Sequence, residues 1–117
     1  MGDFRELRAW QEAKKLISLS KSAIDQLPKH EQYALANQWR RAAYSVALNI
    51  AEGSTRKGPR EFRRYLDIAR GSLHELEAIF EIVTVMAYLP TESLKPIITA
   101  RDNCATMVYG LLRSMGR

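Results

Sequence analysis

Phe62, Leu66, Ala69, Leu73, Leu76, Phe80, Val83 and Ala87 recur at alternating steps of four and three residues. That spacing places all of them on one side of an α-helix but scatters them over both faces of a strand, so it predicts one long amphipathic helix. Gly58 and Pro59 open it, since proline suits a first helical position whose N–H has no partner in any case. Leu89 and Pro90 mark its stop.

Three more segments follow the same period. Residues 5–26 carry an approximate stripe of Leu7, Trp10, Ala13, Ile17, Ser20, Ile24 and Leu27, ended by Pro28. Residues 31–52 carry Leu35, Trp39, Ala42, Val46 and Ile50, closed by Gly53 in the left-handed conformation that helix ends favour. The last helix takes Thr91 or Ser93 as its cap, Ser93 being the better because Pro96 then falls in the first turn; Ile97, Cys104, Val108, Leu111 and Met115 form its stripe. Four helices of about 20–30 residues with short connections predict an all-α, antiparallel up-down-up-down four-helix bundle. A chain of 117 residues that is 46% hydrophobic supplies a single domain with one core.

The second helix has more apolar surface than one core needs. Ala36, Tyr44, Ala47, Leu48 and Ala51 cover the side away from its main stripe, leaving only Arg41, Ser45, Asn49 and Glu52 as a polar strip beside Arg40. A helix that is apolar on two sides predicts a second packing partner. Gly71, inside the third helix and pointing away from its stripe, is read the same way. A mid-helix glycine costs about 1 kcal/mol relative to alanine, and close approach of another helix or subunit would offset that.

The net charge of +5 is concentrated. Residues 40–70 hold eight basic and three acidic side chains, against six and five in residues 1–39 and four and five in residues 71–117. Arg56 and Lys57 lie in a connection, and Arg60, Arg63, Arg64 and Arg70 spread along the third helix opposite its apolar stripe. Arginine's flat fork suits phosphate, so the patch is a candidate nucleic-acid surface. Asp67 lies three or four positions from Arg63, Arg64 and Arg70 and offers the competing interpretation, a solvated face of intrahelical ion pairs. No paired aromatics form a stacking platform beside the patch, so binding there is expected to follow the backbone with little sequence preference.

Three ordered blocks, FRELRAWQEA, QWRRAAYSVALNIAEG and FRRYLDIARGSLHELEAI, resemble the small four-helix-bundle proteins encoded by intervening sequences inside some bacterial 23S ribosomal RNA genes. The pattern departs at Ala47 and Leu48, where the family often has a proline and a small residue. The resemblance implies a homo-oligomeric ring, commonly a pentamer, with ribosomal or other structured RNA as its partner. It also makes Glu52, Ser72 and Glu75 candidate acceptors for a structural network around Arg41. A related kind of ring-forming bundle is an accessory subunit of reverse transcriptases in diversity-generating retroelements, which implies a protein scaffold as the alternative.

Enzymatic roles find little support. Di-iron bundles need Glu-x-x-His on two helices, whereas Gly71 and Leu27 precede His74 and His30 by three. Helical ribonucleases of the HEPN class separate Arg from His by four to six residues; only three lie between Arg70 and His74. The single cysteine, Cys104, reads as a small core residue. No cofactor or metal motif is present. The opening MGDFRELRAW has no apolar export core, and the longest uncharged run, near residues 82–89, falls short of the roughly 20 residues that span a bilayer, so a cytoplasmic protein without membrane contact is expected.

Overall fold

A computed structural model describes residues 3–115. Its four helices are α1 (Arg8–Asp25), α2 (Leu35–Ser54), α3 (Pro59–Val85) and α4 (Thr91–Ser114), with short 3-10 turns at Phe4–Glu6 and Lys29–Glu31 and no strand among the described residues. The helices form a bundle in which α2 packs most closely on α3, and α1 packs on both α2 and α4. No helix is long and apolar enough to cross a membrane, among the residues described.

The expected stripe of α3 is buried from Phe62 to Val83. Ala87 is the correction. The helix ends at Val85, and Ala87 stands beyond it at φ 57, with its N–H bonded to the Thr84 carbonyl and the Tyr88 N–H bonded to that of Val83. This pair of bonds closes a helix in the manner usually given to glycine. An alanine there carries the steric cost of its Cβ in the left-handed region. Ala87→Gly is therefore expected to raise the unfolding free energy by about 0.5–1 kcal/mol, read from urea denaturation, after allowing for glycine's greater freedom in the unfolded chain.

Gly53 is corrected in the opposite sense. It lies inside α2, which runs on to Ser54, and among the described glycines only Gly58 has a positive φ. A Cβ on Gly53 would stand 2.7 Å from Tyr65 Cβ and 2.9 Å from Phe62 Cδ1. The glycine is there because α3 crosses at that point, not to turn the chain.

The helix starts also differ from the periodic estimate. Leu7 is extended between the first turn and α1, and α1 buries Ala9, Leu16 and Ala23 along with Ala13, Ser20 and Ile24, leaving Leu7, Trp10 and Ile17 half-buried at the edges. Helix α2 begins at Leu35, not 31, because Glu31 acts from the preceding turn: its Oε1 accepts the Leu35 N–H at 3.3 Å. The other oxygen accepts the Tyr88 hydroxyl at 2.7 Å, which holds the Glu31 carboxyl below its ordinary value and raises the Tyr88 phenol. Gln32 Nε2 donates to the Ile24 and Leu27 carbonyls, completing the end of α1. In α4 neither Thr91 nor Ser93 caps with its side chain; Pro90 is the cap residue, and Pro96 sits inside the helix. There its missing N–H leaves the Glu92 carbonyl without an intrahelical partner. Leu112 is buried where Leu111 and Met115 were expected.

The centre of the bundle is Trp39, fully buried, edge-on to Phe80 at 5.3 Å, with its indole N–H donating to the buried Ser20 hydroxyl at 3.0 Å. Cys104 is buried against α1, its Sγ 3.6 Å from the Ala9 carbonyl, and burial pushes its thiol up to about 12. A thiol that stays protonated so far above neutrality belongs to the core.

Candidate nucleic-acid interface

The close approach at Gly53 brings the end of α2, the link to α3 and the first turns of α3 together. Tyr65 is pressed against α2 at that point. Arg63 reaches from α3 to the end of α4, where its Nη2 donates to the Met115 carbonyl. The turn at Phe4–Glu6 meets the same end, since Asp3, Phe4 and Arg5 share with Thr55, Arg56 and Lys57 an open recess of about 720 Å³. Basic residues from separate parts of the chain thus share one end.

Their partners divide them. Arg56 pairs with Glu52, Arg64 Nη2 stands 3.4 Å from Glu61 Oε1, and Arg70 Nη2 stands 3.0 Å from Asp67 Oδ1. Asp67 thus serves Arg70 alone among the three arginines around it. Arg63 is half-buried and occupied with a helix C-terminus, where a cation also complements the helix dipole. Lys57 and Arg60 are exposed and have no carboxylate partner among the described residues.

An aromatic support is present that sequence reasoning missed. The Arg56 and Arg64 guanidinium carbons lie 5.2 Å and 5.0 Å from the centroid of the Tyr65 ring. Arg5 lies 4.8 Å from that of Phe4, and Arg70 6.0 Å from that of Tyr109. Arg56 sits in the link and Tyr65 on α3, so no periodic signal joins them.

The network expected around Arg41 is not formed among the described side chains; the hydrogen bonds of this strip join Ser45, Asn49 and Ser72 instead. Ser72 Oγ donates to Ser45 Oγ at 2.7 Å, and Asn49 Nδ2 donates to the Ser45 carbonyl and hydroxyl at 2.8 Å and 3.1 Å. Arg41 borders this network with Gln38 and Glu75 around an open recess of about 490 Å³, while Glu52 is turned to Arg56. Arg40 lies instead on the α1 side, lining with Asp25 and Tyr44 a recess of about 180 Å³. Tyr44 is 47% exposed and Leu48 65%, whereas Ala36 and Ala47 are buried within the chain. Gly71 is exposed, and a Cβ added to it would meet nothing within 4 Å. No helix of its own chain explains that glycine.

Arg70 and His74 do not converge. Arg70 faces Asp67 and Tyr109, and His74 Nδ1 stands 3.5 Å from Glu77 on the exposed side of α3. His30 lies at the other end of the bundle, 3.3 Å from the Tyr88 hydroxyl.

A small all-α bundle with its positive charge gathered at one end is the class that these features define. The chain belongs to the 23S rRNA-intervening sequence protein family, whose sequence model matches residues 5–110. No curated protein matches it.

Proposed function

We propose that this family member is a non-enzymatic cytoplasmic bundle that binds nucleic acid through its basic end and works as a homo-oligomeric ring. One observation carries the binding: Lys57 and Arg60 stand exposed without a carboxylate partner among the described residues, beside Arg56 and Arg64, which each keep one. An uncompensated cation is free to displace the counterions condensed on a phosphate chain. Ribosomal or another structured RNA is the ligand that the family resemblance implies, and the exposed cations support that reading.

The contacts Trp39 to Phe80, Ser45 to Ser72 and Gly53 to Tyr65 run in opposite directions along α2 and α3 and support an antiparallel arrangement. Assembly is supported by Tyr44 and Leu48, large apolar side chains left exposed on α2, and by Gly71 on α3. A pentamer is the number the family resemblance implies. A second reading, a scaffold for a protein partner such as a reverse transcriptase, is favoured by Tyr33, Ile82, Val85 and Met86, which add exposed apolar surface away from the basic end.

Titration of the intact protein with a labelled RNA at several salt concentrations tests the binding. Lys57→Ala combined with Arg60→Ala is expected to weaken binding to all sequences alike and to flatten the slope of log K against log salt by about 1.4 for a single strand, two phosphate contacts being lost. An unchanged slope overturns the assignment of these two residues, and no binding by the unmodified protein overturns the function.

A further inference from the structure

We propose that the basic end takes unpaired nucleotides, with bases lying flat on the outward faces of the Arg5, Arg56 and Arg64 guanidinium groups. This rests on the nucleic-acid function above and narrows it from backbone to base.

A guanidinium is a flat group with two faces and a rim of in-plane N–H donors. At this end of the bundle the same arrangement occurs three times. Arg5 stands over Phe4, its guanidinium carbon 4.8 Å from the ring centroid, and its Nη1 lies 2.9 Å from Asp3 Oδ2. Arg56 stands over Tyr65 at 5.2 Å and pairs with Glu52. Arg64 stands over the same ring at 5.0 Å, with Glu61 near its Nη2. A carboxylate bound at the rim leaves the faces clear, and an aromatic ring covers only one of them. The three side chains remain 70%, 39% and 62% exposed, so each keeps surface that a base can reach.

Two consequences follow from that geometry. Each arginine's charge is partly offset by its own carboxylate, which makes these three poorer phosphate ligands than Lys57 and Arg60. Each is also held between a ring and a carboxylate before any ligand arrives, which reduces the rotamer entropy lost when a base stacks on it. The recess of about 720 Å³ between Arg5 and Arg56 falls within the range of roughly 300–1,000 Å³ typical of small-ligand sites, room enough for a nucleotide. Bases inside a duplex present only their edges. Only loops, bulges and single strands can offer a face to a guanidinium plane.

The test compares a fluorescein-labelled unpaired RNA 12-mer with a labelled blunt RNA duplex, titrated by anisotropy against the intact protein. The unmodified protein is expected to favour the unpaired probe. Arg5→Lys, Arg56→Lys and Arg64→Lys together keep every charge and remove the flat faces; the preference for the unpaired probe is expected to fall by about tenfold or more. Lys57→Ala with Arg60→Ala should lower affinity for both probes and leave their ratio unchanged. Equal binding of both probes by the unmodified protein, or a ratio that survives the triple lysine variant, overturns the stacking site and leaves the phosphate surface standing. Binding of neither probe overturns the nucleic-acid function and this site with it. Circular dichroism and the melting temperature of the triple variant, all three side chains being on the surface, confirm that the bundle is intact.

Discussion

Gly53→Ala is expected to destabilise the bundle by about 2 kcal/mol, although alanine is the better helix former. Helix propensity alone favours the change by about 1 kcal/mol. Against it, the new Cβ would lie 2.7 Å from Tyr65 Cβ, an atom one bond from the α3 backbone that no rotamer change can move. Relief requires α2 and α3 to separate at their closest point. Overpacking of that kind costs about 1–3 kcal/mol, and contact with a backbone-anchored atom places it at the upper end or beyond. Gly71→Ala is the control: a Cβ there meets nothing within 4 Å, so the variant is expected to gain about 0.5–1 kcal/mol from propensity. Urea denaturation of both variants below the concentration of assembly measures the two signs. Equal stabilisation by the two alanines would show that the α2–α3 crossing yields without cost.

The same substitution reaches the basic end. Tyr65 is the ring beneath Arg56 and Arg64, and displacing it moves both guanidinium groups. A core glycine thus sets the geometry of a surface 117 residues of sequence present only as scattered arginines.

What was legible in the sequence follows from which forces are local. The α3 stripe from Phe62 to Val83 could be read directly because a long helix with one buried side shows its period plainly. Ala87 continued the period, yet the chain turns at that residue, and spacing carries no information about φ. In α1 the bulky Trp10 and Ile17 drew the stripe to one side, while the small Ala9 and Ala23 occupy the tighter contacts. Gly53 resembled a helix stop because glycine near a helix end usually is one; only the position of α3 distinguishes a cap from a close crossing. The α2 start was misplaced by four residues because Glu31 caps from a turn, using Tyr88 from the link between α3 and α4 to fix its carboxylate.

The basic patch was legible as composition and not as geometry. Charge counting located the excess between residues 40 and 70. It could not show that Arg63 is spent on the end of α4 or that Arg56 reaches over Tyr65 from the link. Each of those depends on a contact between separate segments, whereas Asp67 and Arg70 lie three positions apart on α3, a pairing that spacing alone offers.

Tyr44→Glu and Leu48→Glu are each expected to reduce the protein to monomers. Sedimentation equilibrium of the unmodified chain should show a species several times the 13.4 kDa chain mass. In the monomer both side chains face solvent, Leu48 at 65% and Tyr44 at 47% exposure, so a carboxylate there is expected to change folding stability by no more than about 0.5 kcal/mol. In an assembly that covers this face the same carboxylate is buried without a partner. An uncompensated buried charge costs about 3–5 kcal/mol, roughly two to four orders of magnitude in the association constant at each contact. Arg40 and Arg41 flank the face on either side, so Leu48→Lys should dissociate the ring at least as fully as Leu48→Glu, whose charge they partly offset. An unaltered melting curve accompanied by monomeric mass would locate the interface on this side of α2. Retention of the oligomer by both glutamate variants would move it elsewhere, and a monomer at every concentration of the unmodified protein would leave the exposed apolar residues of α2 to another partner.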